Sequence, residues 1–307
     1  MKKGTKIALG IALVCIGLGL ILTLIAFSMD GYSLSDININ RMDTVNTVTK
    51  TEQISDDFHS ININDVQCDI RILPSTDSRC KVVYTDSDLC THHIRVENYT
   101  LYIEAEDVGD FSDHLFVIQG SAEVTVYLPM DTLVELNLET VSGSIAVTPD
   151  FSLRSANLST TSGEIDFSAQ VSESLDAATT SGSIEISGTS QCEVDASSTS
   201  GDISLVNMEP ASLSAATTTG DIELEDVVVS GQLNLSTASG DVELIQVDAH
   251  SAQIGTASGD IEGSILSPKQ FETDTVSGDI RVENTHNAKD YWEVSTTSGC
   301  IELVIVP

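Results

Sequence analysis

The sequence contains few basic and few aromatic residues. Its 307 residues include 13 Lys and Arg against 47 Asp and Glu, which gives a formal net charge of −34, and no Lys or Arg occurs from residue 155 to residue 268. Binding of nucleic acid depends on basic side chains that meet phosphates, so this composition excludes nucleic acid and other anionic polymers as partners. Aromatic residues make up only 5% of the chain, which predicts a core of Ile, Leu, Val, Ala and Thr. The hydrophobic content of 41% argues against disorder.

One uncharged segment near the N-terminus predicts a membrane anchor. Three lysines precede a run of 23 uncharged residues from Ile7 to Met29, and a membrane-spanning helix needs roughly 20 apolar residues. A cleaved signal peptide is the alternative, but its apolar region is only about 7–15 residues long. Basic residues before the run place the N-terminus in the cytoplasm. We expect a single-pass protein of the cell membrane with a cytoplasmic tail (1–6), a transmembrane helix (7–29), a juxtamembrane linker (30–51) and extracytoplasmic β-structure.

A tetrapeptide built around Ser-Gly or Thr-Gly recurs nine times. Its glycines are 19 to 21 residues apart: Gly143, Gly163, Gly182, Gly201, Gly220, Gly240, Gly259, Gly278 and Gly299. Apolar residues alternate with period two on both sides of each glycine, as they do in a strand. Nine hairpins in a meander fit this local pattern, and so do the coils of a β-solenoid, in which each strand pairs with its equivalent one coil later. The near-constant spacing favours the solenoid, because strands stacked ~4.8 Å apart then place equivalent residues in register.

The predicted fold is therefore all-β, a single β-solenoid with coils of about 19–20 residues. We expect looser β-coils over residues 52–130 and nine regular repeats over residues 131–307. Each repeat glycine is expected at a corner with φ > 0, a conformation that costs other residues about 1–2 kcal/mol. One inward column is predicted to contain Thr160, Thr179, Ser198, Thr217, Thr237, Thr256, Thr275 and Thr296. Trp292 replaces the Leu or Ala of most repeats, which predicts that it partly caps the far end of the stack.

Three stretches of the sequence resemble a known bacterial family. They are Ile61 to Pro74 (ININDVQCDIRILP), Val124 to Pro129 (VTVYLP) and the SGDI repeats that follow. Together they resemble a β-strand-repeat family of unknown function that is often labelled putative adhesin. The resemblance covers about residues 52 to 307 and implies a right-handed β-solenoid in an extracytoplasmic or membrane-associated setting. It implies no catalytic residues.

The most distinctive candidate site is a ladder of acidic residues on one side of the repeats. It combines the Asp that follows five of the corner glycines with Glu residues two positions later: Asp202, Asp221, Asp241, Asp260, Asp279, Glu223, Glu243 and Glu262. Two interpretations stay open. The ladder is either a solvated, salt-screened face or a binding site for Ca²⁺, which takes several carboxylate oxygens.

Histidine and cysteine give little support for catalysis. His92 and His93 are adjacent, so on a strand they face opposite sides, and every histidine is interpreted as part of a surface loop. Cys68 alternates with apolar residues and is predicted to be a buried thiol. Cys80 and Cys90 flank a predicted turn at Asp86 to Asp88 and are the candidates for a disulfide in an oxidising compartment.

Three functions are compatible with these features. The leading hypothesis is a non-catalytic binding or scaffold module of the cell envelope, adhesin-like or accessory to the envelope-stress response. The second is a calcium-dependent adhesion module that uses the acidic ladder. The third is an envelope polysaccharide lyase or hydrolase, which requires an acid and a base paired in a cleft. The sequence is not expected to encode an enzyme. No cofactor is expected other than Ca²⁺.

Overall fold

All regular secondary structure in the described part of the chain is β-strand. The computed structural model describes residues 46–77, 79–107, 122–130, 134–188, 191–283, 285 and 288–306. The predicted transmembrane helix lies outside these ranges. Within them, no helix has the length and apolar character that crossing a membrane requires. The first strand begins at Thr47, inside the segment predicted as a linker.

The strands are, in chain order, β1 (Thr47–Ile54), β2 (Ser60–Asn64), β3 (Asp69–Pro74), β4 (Cys80–Ser87), β5 (Cys90–Glu97), β6 (Thr100–Asp107), β7 (Glu123–Leu128), β8 (Glu135–Glu139), β9 (Ile145–Val147), β10 (Ser152–Ser159), β11 (Ile165–Phe167), β12 (Gln170–Ala178), β13 (Ile184–Ser187), β14 (Glu193–Ser197), β15 (Ile203–Met208), β16 (Ser212–Ala216), β17 (Ile222–Ser236), β18 (Val242–Thr256), β19 (Ile261–Ile265), β20 (Gln270–Ser277), β21 (Ile280–Val282), β22 (Tyr291–Ser298) and β23 (Ile301–Ile305).

The strands of the repeats form two sheets, named here sheet A and sheet B. Each repeat contributes one strand to sheet B before its glycine corner and one strand to sheet A after it. In the interior of the stack, each strand pairs in parallel with its equivalent one coil later, as predicted. The consecutive strands of sheet B are β10, β12, β14 and β16. Those of sheet A are β11, β13 and β15. The long strands β17 and β18 contribute to both sheets. The apolar side chains of both sheets alternate inward and form one core, so the β-solenoid architecture is confirmed and the meander is excluded.

At both ends of the stack the coils do not follow chain order. Strand β2 lies between β6 and β8, and β3 lies between β7 and β9. At the other end, β22 lies between β18 and β20, and β23 lies between β19 and β21. The prediction that every strand pairs with the next repeat is therefore wrong for the first and last coils, which insert one position inward.

Trp292 gives a physical reason for the insertion at the far end. Its side chain is fully buried, its Nε1 donates to the carbonyl oxygen of Ala249 at 3.1 Å, and Phe271 packs edge-on against its ring. An outermost coil would leave one face of this large ring in water, and burying an aromatic side chain contributes roughly 1.5–3 kcal/mol. The predicted capping role of Trp292 is wrong: the coil that contains Phe271 lies outside it.

The other end is closed by antiparallel strands. Strand β4 pairs with β7, β1 pairs with β4, and β5 pairs with β6, all antiparallel. These strands cover the outermost parallel strands, which would otherwise offer a free edge for pairing with another chain. They also position the buried polar cluster described below.

The corner glycines are required by close packing between coils. A Cβ built at Gly220 would lie 2.1 Å from the carbonyl oxygen of Gly201 in the neighbouring coil, and the other eight corner glycines meet an equivalent carbonyl. None of the nine has a positive φ, whereas Gly188 and Gly263 do. The predicted φ > 0 at these corners is therefore wrong, and the reason for glycine is steric.

The predicted inward column of Thr and Ser is confirmed, and its hydroxyl groups tie neighbouring coils together. Thr160 Oγ1 donates to the carbonyl oxygen of Gly143 at 2.9 Å and accepts the N–H of Gly163 at 3.1 Å. Equivalent donor bonds to a glycine carbonyl of a neighbouring coil are made by Thr179, Ser198, Thr217, Thr237, Thr256, Thr275 and Thr296. The hydroxyl thus satisfies backbone groups at a corner where no strand ladder does so.

We expect Thr160→Val to lower the free energy of unfolding by about 1–3 kcal/mol. The valine keeps the shape of the side chain but leaves a buried carbonyl and a buried N–H without a partner, and that desolvation is the cost. Thr161→Val is the matched control, because this neighbouring side chain is exposed. Urea unfolding of the two variants measures the difference, and equal losses would contradict a role for the hydroxyl column.

Candidate functional site

The aspartates of the acidic ladder bond to the backbone of the next coil. Asp202 Oδ1 accepts the N–H of Asp221 at 2.9 Å, Asp221 Oδ1 accepts that of Asp241 at 2.8 Å, and Asp241 Oδ1 accepts that of Asp260 at 2.8 Å. Asp260 Oδ1 then accepts the N–H of Cys300 at 2.7 Å. One oxygen of each of these four carboxylates therefore has a structural role at the corner.

The structure changes the order of the ladder at its far end. Asp279 does not follow Asp260, because Gly299 stacks on Gly259 and Gly278 stacks on the outer side of Gly299. The glutamate column gains a member for the same reason: Glu223, Glu243, Glu262 and Glu302 lie in register on adjacent strands. Calcium binding by these side chains stays a prediction.

We expect Na⁺ and Ca²⁺ at matched ionic strength to raise the melting temperature equally. Screening relieves repulsion along a solvated ladder whichever cation is used, and the aspartate oxygens already accept backbone N–H groups. The double variant Asp221→Asn, Asp241→Asn keeps those acceptor oxygens and serves as the control. A gain of several degrees in millimolar Ca²⁺ alone that is lost in the double variant would establish chelation instead.

A shallow groove lies on the outer face of sheet B and is named here the sheet B groove. Its volume is about 490 Å³, and its polar lining is Ser214, Gln232, Asn234, Ser236, Gln253, Glu293 and Ser295. Ala216 and Gly255 also line it, so its walls carry small and neutral polar groups. Gln232 Nε2 donates to Asn234 Oδ1 at 2.9 Å, which orients both amides. The insertion of β22 beside β18 is what brings Glu293 and Ser295 to this groove.

A buried polar cluster lies near the antiparallel end of the stack and is named here the His92 cluster. The His92 ring lies between two carboxylates: Nε2 is 2.8 Å from Asp65 Oδ2, and Nδ1 is 2.9 Å from Asp86 Oδ1. Cys68 Sγ lies 3.7 Å from His92 Nε2, and Lys50 Nζ donates to Asp86 Oδ2 at 2.6 Å. The side chains of His92 and Asp65 are only 1% exposed.

The environment of the His92 cluster lowers the pKa of Asp65 and raises the pKa values of His92 and Cys68. Burial alone would raise the pKa of Asp65, but hydrogen bonds from His92 and from the backbone N–H groups of Cys68 and Gln67 lower it to about 2. Burial alone would lower the pKa of His92, but its hydrogen bonds with Asp65 and Asp86 raise it. Burial and the charge of Asp65 raise the pKa of the Cys68 thiol well above its ordinary value. The imidazolium is thus stabilised, and the thiol is not an activated nucleophile.

The surface-loop interpretation is wrong for His92, although the sequence carried a signal for its burial. Asp65, Asp86 and His92 each continue the inward alternation of the adjoining strand. Asp65 follows Ile61 and Ile63, Asp86 follows Val82 and Tyr84, and His92 precedes Ile94 and Val96. Adjacent His93 does face outward and pairs with Glu106.

The predicted disulfide between Cys80 and Cys90 is not formed. The chain bends at residues 88–89, just after the predicted position, and Cys80 lies at the far end of β4, which runs from Cys80 to Ser87. At ~3.4 Å per residue the strand separates Cys80 from Ser87 by roughly 24 Å, and the three residues on to Cys90 can recover at most about 11 Å. The two Cα atoms therefore stay beyond the limit of about 7 Å for a disulfide. Cys68 is buried, as predicted.

Lys269 is a second buried charge that the sequence did not reveal. It is fully buried, and its Nζ donates to Asp248, to Ser267 at 2.8 Å and to Asp290 at 3.0 Å. The Nζ also lies 5.7 Å from the centre of the Trp292 ring. Asp290 directly precedes β22 and Asp248 belongs to β18. These bonds therefore attach the segment before β22 to the coil against which β22 inserts, and we interpret Lys269 as structural.

Comparison with protein families assigns the fold. The family model described as Toastrack DUF4097 matches residues 58–249 and 213–306. The chain belongs to the Toastrack DUF4097 family. A comparison with curated proteins finds no match.

Solved structures support the Toastrack assignment at the level of fold. A putative adhesin from Parabacteroides merdae is 15% identical, with a TM-score of 0.52, over 84% of this chain and 96% of that one. A putative adhesin from Parabacteroides distasonis is 12% identical, with a TM-score of 0.52, over 86% of this chain and 98% of that one. At these identities the likeness concerns the Toastrack fold and not a ligand.

Proposed function

We propose that the chain is a non-catalytic, adhesin-like binding module of the cell envelope, held at the membrane by residues 7–29 with its β-solenoid outside. The sheet B groove is the observation that carries this proposal. Its amide and hydroxyl groups offer paired donors and acceptors, and it lies on a rigid, regularly spaced sheet. The names of the two solved structures, both putative adhesins, point to the same class of function.

The chemistry of the groove favours a neutral, polar polymer such as a glycan strand. Three amide side chains line it, from Gln232, Asn234 and Gln253, and Glu293 is the single ionisable residue of its lining. The net charge of −34 repels anionic polymers at long range. A lyase or hydrolase would need a proton donor and a proton acceptor together, and one glutamate does not supply both.

Cosedimentation of the full-length protein in detergent with insoluble glycans tests the proposal. The probes are chitin, cellulose and peptidoglycan stripped of anionic polymers. We expect the protein to bind one of these glycans. The double variant Asn234→Leu, Gln253→Leu is expected to bind that glycan at least tenfold more weakly, because the apolar side chains leave the ligand's polar groups unpaired.

The matched control is Asn137→Leu with Asn157→Leu. These exposed amides lie in the same outward column of sheet B and bond to each other at 3.1 Å, several coils away from the groove. Their replacement is expected to leave binding unchanged. Failure of all three probes to bind, or equal losses in the two double variants, would contradict a glycan-binding groove.

A further inference from the structure

The His92 cluster places three different metal-ligating atoms together. Cys68 Sγ, His92 Nε2 and a carboxylate oxygen of Asp65 all lie within 4.8 Å of one another. A tetrahedral zinc site with Zn–S of about 2.3 Å and Zn–N of about 2.0 Å puts sulfur and nitrogen ~3.5 Å apart. The observed distance from Cys68 Sγ to His92 Nε2 is 3.7 Å. The sulfur and the nitrogen are therefore already spaced as two ligands of one ion.

We propose that Asp65, Cys68 and His92 bind one divalent transition-metal ion of the zinc class. A thiolate together with an imidazole selects zinc-like ions over Ca²⁺ or Mg²⁺, which prefer oxygen ligands. The site is independent of the sheet B groove, which contains none of these residues. It would stabilise the end of the stack where antiparallel strands meet the parallel coils.

The groups around these three residues are those that orient metal ligands. A ligating histidine usually donates its second ring N–H to a carboxylate, and His92 Nδ1 is 2.9 Å from Asp86 Oδ1. Asp86 is in turn held by Lys50. Asp65 Oδ1 accepts the backbone N–H groups of Gln67 and Cys68 at 2.9 Å each, which directs Oδ2 toward His92.

Charge balance also permits an ion in this buried place. Without metal, both ring nitrogens of His92 face carboxylate oxygens at 2.8–2.9 Å, an arrangement that requires an N–H on each nitrogen. The positive charges of this imidazolium and of Lys50 then offset the negative charges of Asp65 and Asp86. A divalent ion displaces the Nε2 proton of His92 and the thiol proton of Cys68, so two positive charges enter and two protons leave. The cluster is neutral in both states, which avoids the cost of an uncompensated buried charge.

Titration of the metal-free, full-length protein in detergent with Co²⁺ tests the site. Co²⁺ reports a thiolate ligand by a near-ultraviolet sulfur-to-metal charge-transfer band and tetrahedral geometry by visible bands. We expect one equivalent to bind, both sets of bands to appear, and an excess of Zn²⁺ to remove them. Absence of the charge-transfer band in the wild-type protein would overturn the proposal without relying on any variant.

Two cysteine variants locate the ligand. Cys68→Ser is expected to abolish the charge-transfer band, whereas Cys300→Ser, at an exposed thiol in the repeat region, is expected to retain it at full intensity. Far-ultraviolet circular dichroism of Cys68→Ser checks that the variant is folded. Persistence of the band in folded Cys68→Ser, or its loss in Cys300→Ser, would refute the assignment.

Discussion

Replacing Gly220 by alanine is expected to lower the free energy of unfolding by about 3 kcal/mol or more. The new Cβ would lie 2.1 Å from the carbonyl oxygen of Gly201, and the obstacle is backbone rather than a side chain that can rotate. Relief requires the coils to separate at the corner, where Thr217 Oγ1 bonds to the same carbonyl. Overpacking of this kind typically costs 1–3 kcal/mol and occasionally more, and a rigid backbone obstacle belongs at the high end.

Gly255→Ala is the matched control for that variant. It makes the same chemical change within β18, but the nearest atom to the added Cβ is Ser295 Oγ at 3.7 Å, which is ordinary contact. We expect its unfolding free energy to stay within about 0.5 kcal/mol of the wild type. Denaturant unfolding of both variants gives the comparison, and equal stabilities would show that the coils are not packed backbone to backbone at Gly220.

Replacing His92 by leucine in the metal-free protein is expected to cost about 3–5 kcal/mol, because the buried Asp65 loses its positive neighbour and Asp86 keeps only Lys50. His93→Leu is the control on the same strand. The His93 side chain is 61% exposed and its pair with Glu106 is at the surface, so its replacement is expected to change stability by less than about 1 kcal/mol. Equal effects would contradict a buried, doubly paired His92.

The same cluster predicts how stability depends on pH. The folded pKa of His92 is raised above 6.5, so its contribution is complete below about 6.5 and is lost as pH rises through the folded pKa. The folded pKa of Asp65 is lowered from 3.8 to about 2, so its contribution is complete above about 3.8 and is lost as pH falls toward 2. The contribution of the cluster is thus greatest between about pH 4 and 6.5. Unfolding measured from about pH 4 to above pH 8 should show a flatter stability profile above pH 6.5 for His92→Leu than for the wild type.

The interior coils were predictable because their signals are local and repeated. Alternation around each glycine and the 19–21-residue spacing define the strands, the inward Thr column and the parallel register. The sequence also showed that a glycine occupies each corner, but it did not show which physical constraint requires glycine there. A tight turn and a close backbone approach both favour glycine, and only the stacked carbonyls distinguish them.

The order of the end coils was not predictable from these signals. Every coil offers the same ladder of backbone groups, so periodicity does not say which neighbour a terminal coil takes. The long connection before β22 and the size of Trp292 were the available hints. The His92 cluster was missed for a related reason. Asp65 and Cys68 come from the connection between β2 and β3, Asp86 from β4 and His92 from β5, and the alternation along one strand does not show which residues of other segments it meets.

The coil order at the C-terminal end is tested most directly by engineered disulfides, and the sheet B groove depends on it. Gly255 pairs with Ser295, whereas Asp274 lies one strand farther out. Adjacent strands are about 4.8 Å apart and alternate strands about 9.6 Å, and a disulfide needs Cα atoms within about 7 Å. Gly255→Cys with Ser295→Cys should therefore form a disulfide on mild oxidation, detected by peptide mass spectrometry, and Gly255→Cys with Asp274→Cys should not. The reverse result, a disulfide only in the second pair, would mean that the coils stack in chain order and that Glu293 and Ser295 do not line the groove.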